Sequence, residues 1–215
     1  MNNDQVTYYS QRAEEYEKIY EKPERQQDIP KVIDYLQKHF NNKAIIEIAC
    51  GTGYWTQHIS KTAKNIIATD INETVIDIAK SKMYERENVK IQLADVFNLP
   101  DEIGTYEAGF GGFIWSHIPK QNLILFLQNF LSVIKSGGLV IFVDNNYVEG
   151  SSTPIYKTAV DGNTYQKRIL MDGSEYSIIK NFPTDEELLS LIKPVCTEVE
   201  ITRFEYYWAV KFFKK

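Results

Sequence analysis

Ala44-Ile45-Ile46-Glu47-Ile48-Ala49-Cys50-Gly51-Thr52-Gly53 is the stretch from which the fold can be read. An apolar run of strand character leads into a glycine turn, and residues 54–61 continue with helical spacing. Gly51 and Gly53 lack a Cβ, so the chain can take positive φ there and a ligand can lie against the backbone. The helix that follows points its free N-terminal amides at the same place. Strand, glycine turn and helix in this order make a seat for a nucleotide-bearing ligand.

Working outward, short apolar runs alternate with helical stretches. The runs are 44–49, 65–69, 89–93, 108–115 and 139–143, with helices predicted after the first two and over 123–134. That rhythm predicts a parallel sheet with right-handed crossovers, its strands apolar almost throughout because both faces are covered. Upstream, residues 4–22 place Tyr8, Tyr9, Tyr16, Ile19 and Tyr20 at roughly helical spacing up to Pro23, and a second helix fits 29–40. After Asp144 the rhythm breaks. Asp161-Gly162 and Asp172-Gly173 flank the alternating segment 164–170 and signal hairpins. Thr184 and Glu187 are spaced as a capping box, and 198–204 with 206–213 read as an antiparallel pair at the sheet edge.

Composition narrows the class. The chain has 215 residues, 43% of them hydrophobic, which suits one domain with an elaboration. It divides into a helical cap (1–40), a ligand-binding core (43–145), an insertion on the substrate side (146–182) and a final helix with edge strands (183–215). A net charge of −5 offers no general attraction to nucleic acid or an anionic membrane. No apolar run reaches the roughly eighteen residues of a membrane span. Cys50 and Cys196 lack metal-site spacing, and no metal is expected. A cytoplasmic protein, monomeric or homodimeric, is the expectation.

Two ligand classes use a glycine turn after a first strand and an acidic residue after a second. Dinucleotide binders need a third small residue where this chain has Thr56. The other class fits better. Glu47-Ile48-Ala49-Cys50-Gly51-Thr52-Gly53 resembles the first motif of the class I S-adenosylmethionine-dependent methyltransferases, with Ala49 where a further glycine often stands. Asp70 ends 66–70 where that family has its second-strand carboxylate, Asp95 follows the third strand, and Gly137-Gly138 resembles the turn between helix and fifth strand. Four motifs in order, over about residues 40 to 145, carry the resemblance.

The resemblance implies an α/β, Rossmann-like, doubly wound sheet of seven mostly parallel strands with the last antiparallel, a helical cap and a β-rich insertion after strand five. It implies methyl transfer from S-adenosylmethionine, leaving S-adenosylhomocysteine, to a small-molecule acceptor. A nicotinamide-dependent oxidoreductase and a non-catalytic S-adenosylmethionine binder are the alternatives. The cofactor residues it implies are Glu47, Ala49, Gly51 and Gly53 in the turn, Asp70 and Ile71 for the ribose, and Asp95 and Val96 for the adenine. Gly112 and Phe113 would border the methionine part, and Arg12 and Tyr16 would close over it. Trp115, Tyr147, Tyr156 and Arg168 are substrate candidates. His117, near the expected mouth and with an ordinary pKa suited to proton transfer, is the candidate general base.

Overall fold

The computed structural model describes residues 3–215; Met1 and Asn2, which begin the expected cap, lie outside the described residues. Among the described residues, ten strands form two sheets. The larger comprises β1 (Ala44–Ile48), β2 (Asn65–Asp70), β3 (Val89–Leu93), β4 (Tyr106–Gly112), β5 (Ile134–Asn145), β9 (Cys196–Arg203) and β10 (Tyr207–Lys214), in the order β3-β2-β1-β4-β5-β10-β9. All its pairings are parallel except those of β10, which runs antiparallel to both β5 and β9. This is the doubly wound, Rossmann-like sheet of seven mostly parallel strands expected from the sequence. The expected antiparallel pair forms one edge, with β10 inside and β9 outermost.

Alternate residues explain why the central strands are apolar. In β1, Ile45 enters a core with Val32, Leu36, Phe40 and Phe110, while Ile46 enters a second core with Phe126, Phe130 and Phe142. Helices α2 (Ile29–Phe40) and α3 (Tyr54–Ile59) supply the first layer; α5 (Leu123–Ser132) and α6 (Asp185–Ile192) supply the second. The fully buried strand residues read as continuous hydrophobic runs, while the edge strand β9 keeps a mixed pattern. Thr184 and Glu187 form the expected capping box of α6.

Three local expectations are corrected. The N-terminal segment is not one helix: α1 (Asn3–Gln11) ends before Arg12, and a 3₁₀ segment, Ala13–Tyr20, follows. The break lets the tyrosines point into the molecule from two directions rather than from one stripe. Gly137-Gly138 is not the cap of α5, which ends at Ser132; both glycines lie within β5, where the pairing with β4 shifts register. A Cβ on Gly138 would come within 2.8 Å of the Lys135 carbonyl oxygen, so the irregular strand needs glycine. Finally, β4 stops at Gly112, three residues before Trp115.

The insertion forms a separate antiparallel sheet of β6 (Ile155–Thr158), β7 (Thr164–Ile169) and β8 (Glu175–Ile179), with its turns at the two predicted Asp-Gly pairs. It packs on α1, where the Tyr176 hydroxyl donates to Gln11 at 2.6 Å.

Candidate active site

The winding direction reverses between β1 and β4, and in open α/β sheets ligands bind beyond the carboxyl ends of strands at such a point. A cleft lies there, bordered by the turn after β1, by Asp70 at the end of β2, and by Gly112 and Phe113 at the end of β4. Ala49, Gly51 and Gly53 all take positive φ, at 52°, 55° and 80°. A Cβ on Gly51 would meet nothing within 4 Å, so this residue leaves backbone open to the cleft. Gly53 faces the other way, where a Cβ would come within 3.2 Å of the Ala79 side chain on α4 (Glu73–Ser81).

Asp70 braces this turn. Its Oδ2 accepts the Gly51 amide and its Oδ1 the Asn72 amide, both at 2.9 Å. Burial raises its pKa, and the backbone donors oppose that rise. Asn72 then caps α4 by accepting from Thr74 and holds the roof by donating to the Val6 carbonyl.

The N-terminal segment forms that roof. Val6, Tyr9, Tyr16 and Tyr20 border the cleft. Thr52 donates to Glu17 at 2.5 Å, Lys82 pairs with the same carboxylate, and Trp55 donates to the Tyr20 hydroxyl at 2.9 Å. Tyr20 also stacks on Tyr54 with ring centres 4.0 Å apart. Burial raises the pKa of Tyr9, Tyr16 and Tyr20, so these hydroxyls stay neutral.

A second cleft opens beside the first between the N-terminal segment, the end of β5 and the insertion sheet. Tyr9, Tyr16, Phe113 and His117 border both. His117 is buried: its Nδ1 donates to the Ile179 carbonyl at 2.7 Å, which leaves Nε2 to accept the Tyr9 hydroxyl at 2.8 Å. Burial, with the Lys180 ammonium nearby, holds the imidazole well below its ordinary range. Lys180 in turn donates to Asp144 at 3.0 Å and to the Ser116 hydroxyl at 2.6 Å, and Asp144 accepts the Ser116 amide. Burial alone would raise the Asp144 carboxyl, but the ammonium and the other donors outweigh it and hold it low.

The fold brings Ala49, Gly51, Asp70, Ile71, Gly112, Phe113, Tyr16 and His117 to the first cleft, and Arg12, Arg168, Tyr16, Phe113 and His117 to the second. It leaves others out. Glu47 is buried behind the turn with Oε2 unpartnered among the described residues, its carboxyl pushed up to about 8 by burial. Asp95 closes its own turn, accepting from the Phe97 amide at 2.9 Å, and Val96 packs into the core below α5; neither borders the cleft. Trp115 is 1% exposed and packs against Phe126, Phe142 and Trp208 rather than facing substrate. Strand alternation would have set Trp115 beside Phe113, but the chain turns at Phe113, at φ 60°, into the 3₁₀ segment Trp115–His117. Tyr147 stands behind Phe182, and Tyr156 is exposed and bonded to Ser177; neither borders either cleft.

Sequence reasoning missed Asp144, Lys180 and Arg25. Asp144 was a polar stop at the end of an apolar strand, a signal available at the right end of the sheet. Arg25 and Lys180 carried no such mark, because only packing unites their distant segments. Among the described residues no cluster suited to a metal ion occurs, and no helix is long and apolar enough to cross a membrane.

Residues 45–138 match a family described as a methyltransferase domain. A demethylmenaquinone methyltransferase from Lactococcus lactis subsp. lactis (strain IL1403) is 28% identical over 123 residues, covering 55% of this chain and 47% of the relative. The same enzyme from Staphylococcus saprophyticus subsp. saprophyticus is 25% identical over 128 residues, covering 57% and 53%. The chain thus matches about half the length of these curated relatives. Two solved structures align over almost everything: a DhpI-SAH complex at 25% identity and TM-score 0.80, covering 98% of this chain and 95% of that one, and a DhpI-SAM-HEP complex at 27% identity and TM-score 0.77, covering 97% and 95%.

Proposed function

We propose that this chain is a class I S-adenosylmethionine-dependent methyltransferase that transfers a methyl group from S-adenosylmethionine to a small-molecule acceptor, a reading supported by the methyltransferase-domain match over residues 45–138 and by the likeness to the SAH- and SAM-bound structures. The observation that carries this reading is the cleft at the reversal point, where a left-handed glycine turn and a braced carboxylate face an aromatic roof. The residues suit the donor. Gly51 leaves main chain exposed, and the Asp70 oxygens have lone pairs left for the ribose hydroxyls after taking one amide each. Tyr9, Tyr16, Tyr20 and Phe113 make an apolar, electron-rich wall that favours a cationic sulfonium and excludes water.

When bound, S-adenosylmethionine supplies a methyl carbon that is electrophilic without further activation. The chain's own work is to hold an acceptor lone pair in line with that carbon, an alignment worth several kcal/mol. The acceptor enters through the second cleft, past the shared wall of Tyr9, Tyr16, Phe113 and His117. His117 serves there as a positioning residue and not as the general base: its free nitrogen is occupied by Tyr9, and it is too weakly basic to take a proton near neutral pH. A cytoplasmic location accords with Cys50 and Cys196 being buried thiols.

Thermal unfolding with S-adenosylhomocysteine and with NADH tests the donor. A ligand at 100 times its Kd stabilises by about 2.7 kcal/mol, a rise of roughly 5–11 °C for a chain of this size. Stabilisation by NADH without stabilisation by S-adenosylhomocysteine would refute the reading.

A further inference from the structure

The second cleft has a charge opposite to that of the chain as a whole. The protein carries 24 basic and 29 acidic residues, yet Arg12, Lys22, Arg25, Arg168 and Lys180 border this one cleft and, among the described residues, no carboxylate does. Two of the five cations are already balanced: Lys180 by Asp144 behind it at 3.0 Å, and Lys22 by Glu24 at 3.8 Å. Among the described residues, Arg12, Arg25 and Arg168 have no carboxylate within 4.0 Å.

The hydrogen-bond partners of these guanidinium groups are neutral. Arg168 donates to the Thr153 hydroxyl at 2.5 Å and to the Gln166 side-chain oxygen at 2.7 Å. Arg25 is 9% exposed, lies over the rings of Tyr206 and Tyr207, donates to the Asn145 side-chain oxygen at 3.2 Å, and keeps its buried Nε without a hydrogen-bond partner among the described residues. A guanidinium does not shed its proton, and sequestering one without a counter-charge is unfavourable. Neutral side chains aim these groups without discharging them, so the balancing charge has to arrive with the ligand.

We propose that the second cleft takes the methyl acceptor by an oxyanion, a phosphonate, phosphate or carboxylate, gripped by Arg168 and Arg25, and that an oxygen of that group receives the methyl. The proposal rests on the methyl-transfer reading. Guanidinium forks match the paired oxygens of such groups. The wall shared with the donor cleft also lacks a free proton acceptor: its tyrosine hydroxyls are neutral, and the His117 nitrogen already takes the Tyr9 hydrogen. A neutral hydroxyl or an ammonium would need such an acceptor. An oxyanion does not: its lone pair forms the O–C bond as the C–S bond breaks, the C–S pair stays on sulfur, and a methyl ester and a neutral thioether result with no proton moved. The five cations suit a small anion, while the chain's net charge of −5 disfavours a polyanion.

Calorimetry on the full chain tests this in two stages. S-adenosylhomocysteine is titrated first, and absence of binding overturns the donor reading on which the proposal rests. The saturated protein is then titrated with ethylphosphonate, propionate and, as a neutral comparison, 1-propanol. Binding of either anion but not of the alcohol is expected, and the preferred anion identifies the oxyanion. Arg168→Gln should weaken anion binding about tenfold or more, with Arg168→Lys intermediate and S-adenosylhomocysteine affinity unchanged in both, which reports intact folding. Equal binding of anion and alcohol, or anion binding unaffected by Arg168→Gln, overturns the proposal while leaving methyl transfer standing. Turnover that places the methyl on any atom but an oxyanion oxygen overturns its second half.

Discussion

Replacing Asp70 by asparagine separates two roles that the structure gives one carboxylate. Each oxygen of Asp70 accepts a backbone amide at 2.9 Å, one from Gly51 and one from Asn72. Asparagine has a single acceptor oxygen, so whichever way its amide turns, one of those N–H groups faces another donor. Leaving a buried donor unsatisfied costs about 1–3 kcal/mol. Part of that is returned, because the buried carboxylate is itself poorly solvated and has a raised pKa. A net loss of about 1–2 kcal/mol corresponds to roughly 2–8 °C in Tm for a chain of 215 residues. Ribose hydroxyls would also lose a charged acceptor, worth about 1.5–3 kcal/mol, or roughly 10- to 150-fold in affinity. Scanning fluorimetry without ligand reads the first effect and calorimetry with S-adenosylhomocysteine the second. Affinity within about twofold of wild type would refute the ribose assignment, and an unchanged Tm would refute the bracing role.

Glu47→Gln should flatten the alkaline side of the stability profile. Burial raises the folded-state pKa from 4.5 to about 8, so stability present below the unfolded value is lost as pH rises through that window. Denaturant midpoints should therefore decline toward pH 8 in wild type and much less in the variant. His117 acts in the opposite direction. Its folded pKa is depressed, so its contribution is complete above about 6.5 and lost as pH falls; His117→Asn should make the acid limb shallower, and an unchanged limb would count against a buried neutral imidazole. At the glycine turn, Ala49→Gly relieves a left-handed alanine at φ 52° and should raise or preserve Tm, whereas Gly53→Ala, at φ 80° and 3.2 Å from the Ala79 side chain, should lower stability by about 2 kcal/mol or more. The reverse ranking in thermal melts would mean the turn is not held as described.

Local pattern carried much of the reading. The apolar runs, the glycine turn, the Asp-Gly hairpins and the capping box are properties of neighbouring residues, and they formed where periodicity and turn chemistry placed them. Errors arose where the chain departs from a regular period. Trp115 was taken as a substrate candidate at the end of a strand read over 108–115 that stops at Gly112, and one aromatic helix was read across the break at Arg12. Asp95 sits at the expected sequence position but spends an oxygen on its own turn.

By itself, the sequence determined the sheet, its winding and the glycine turn that borders the first cleft, because strand and helix periods and left-handed glycines are encoded within a few residues of one another. The second cleft, as a cavity, was decided only by tertiary structure. Arg12, Arg25, Arg168 and Lys180 come from the cap and the insertion, segments with no shared period. What gives them a common chemistry, three guanidinium groups without a carboxylate beside a neutral imidazole, is a matter of distance and burial, and those exist only once the chain has folded.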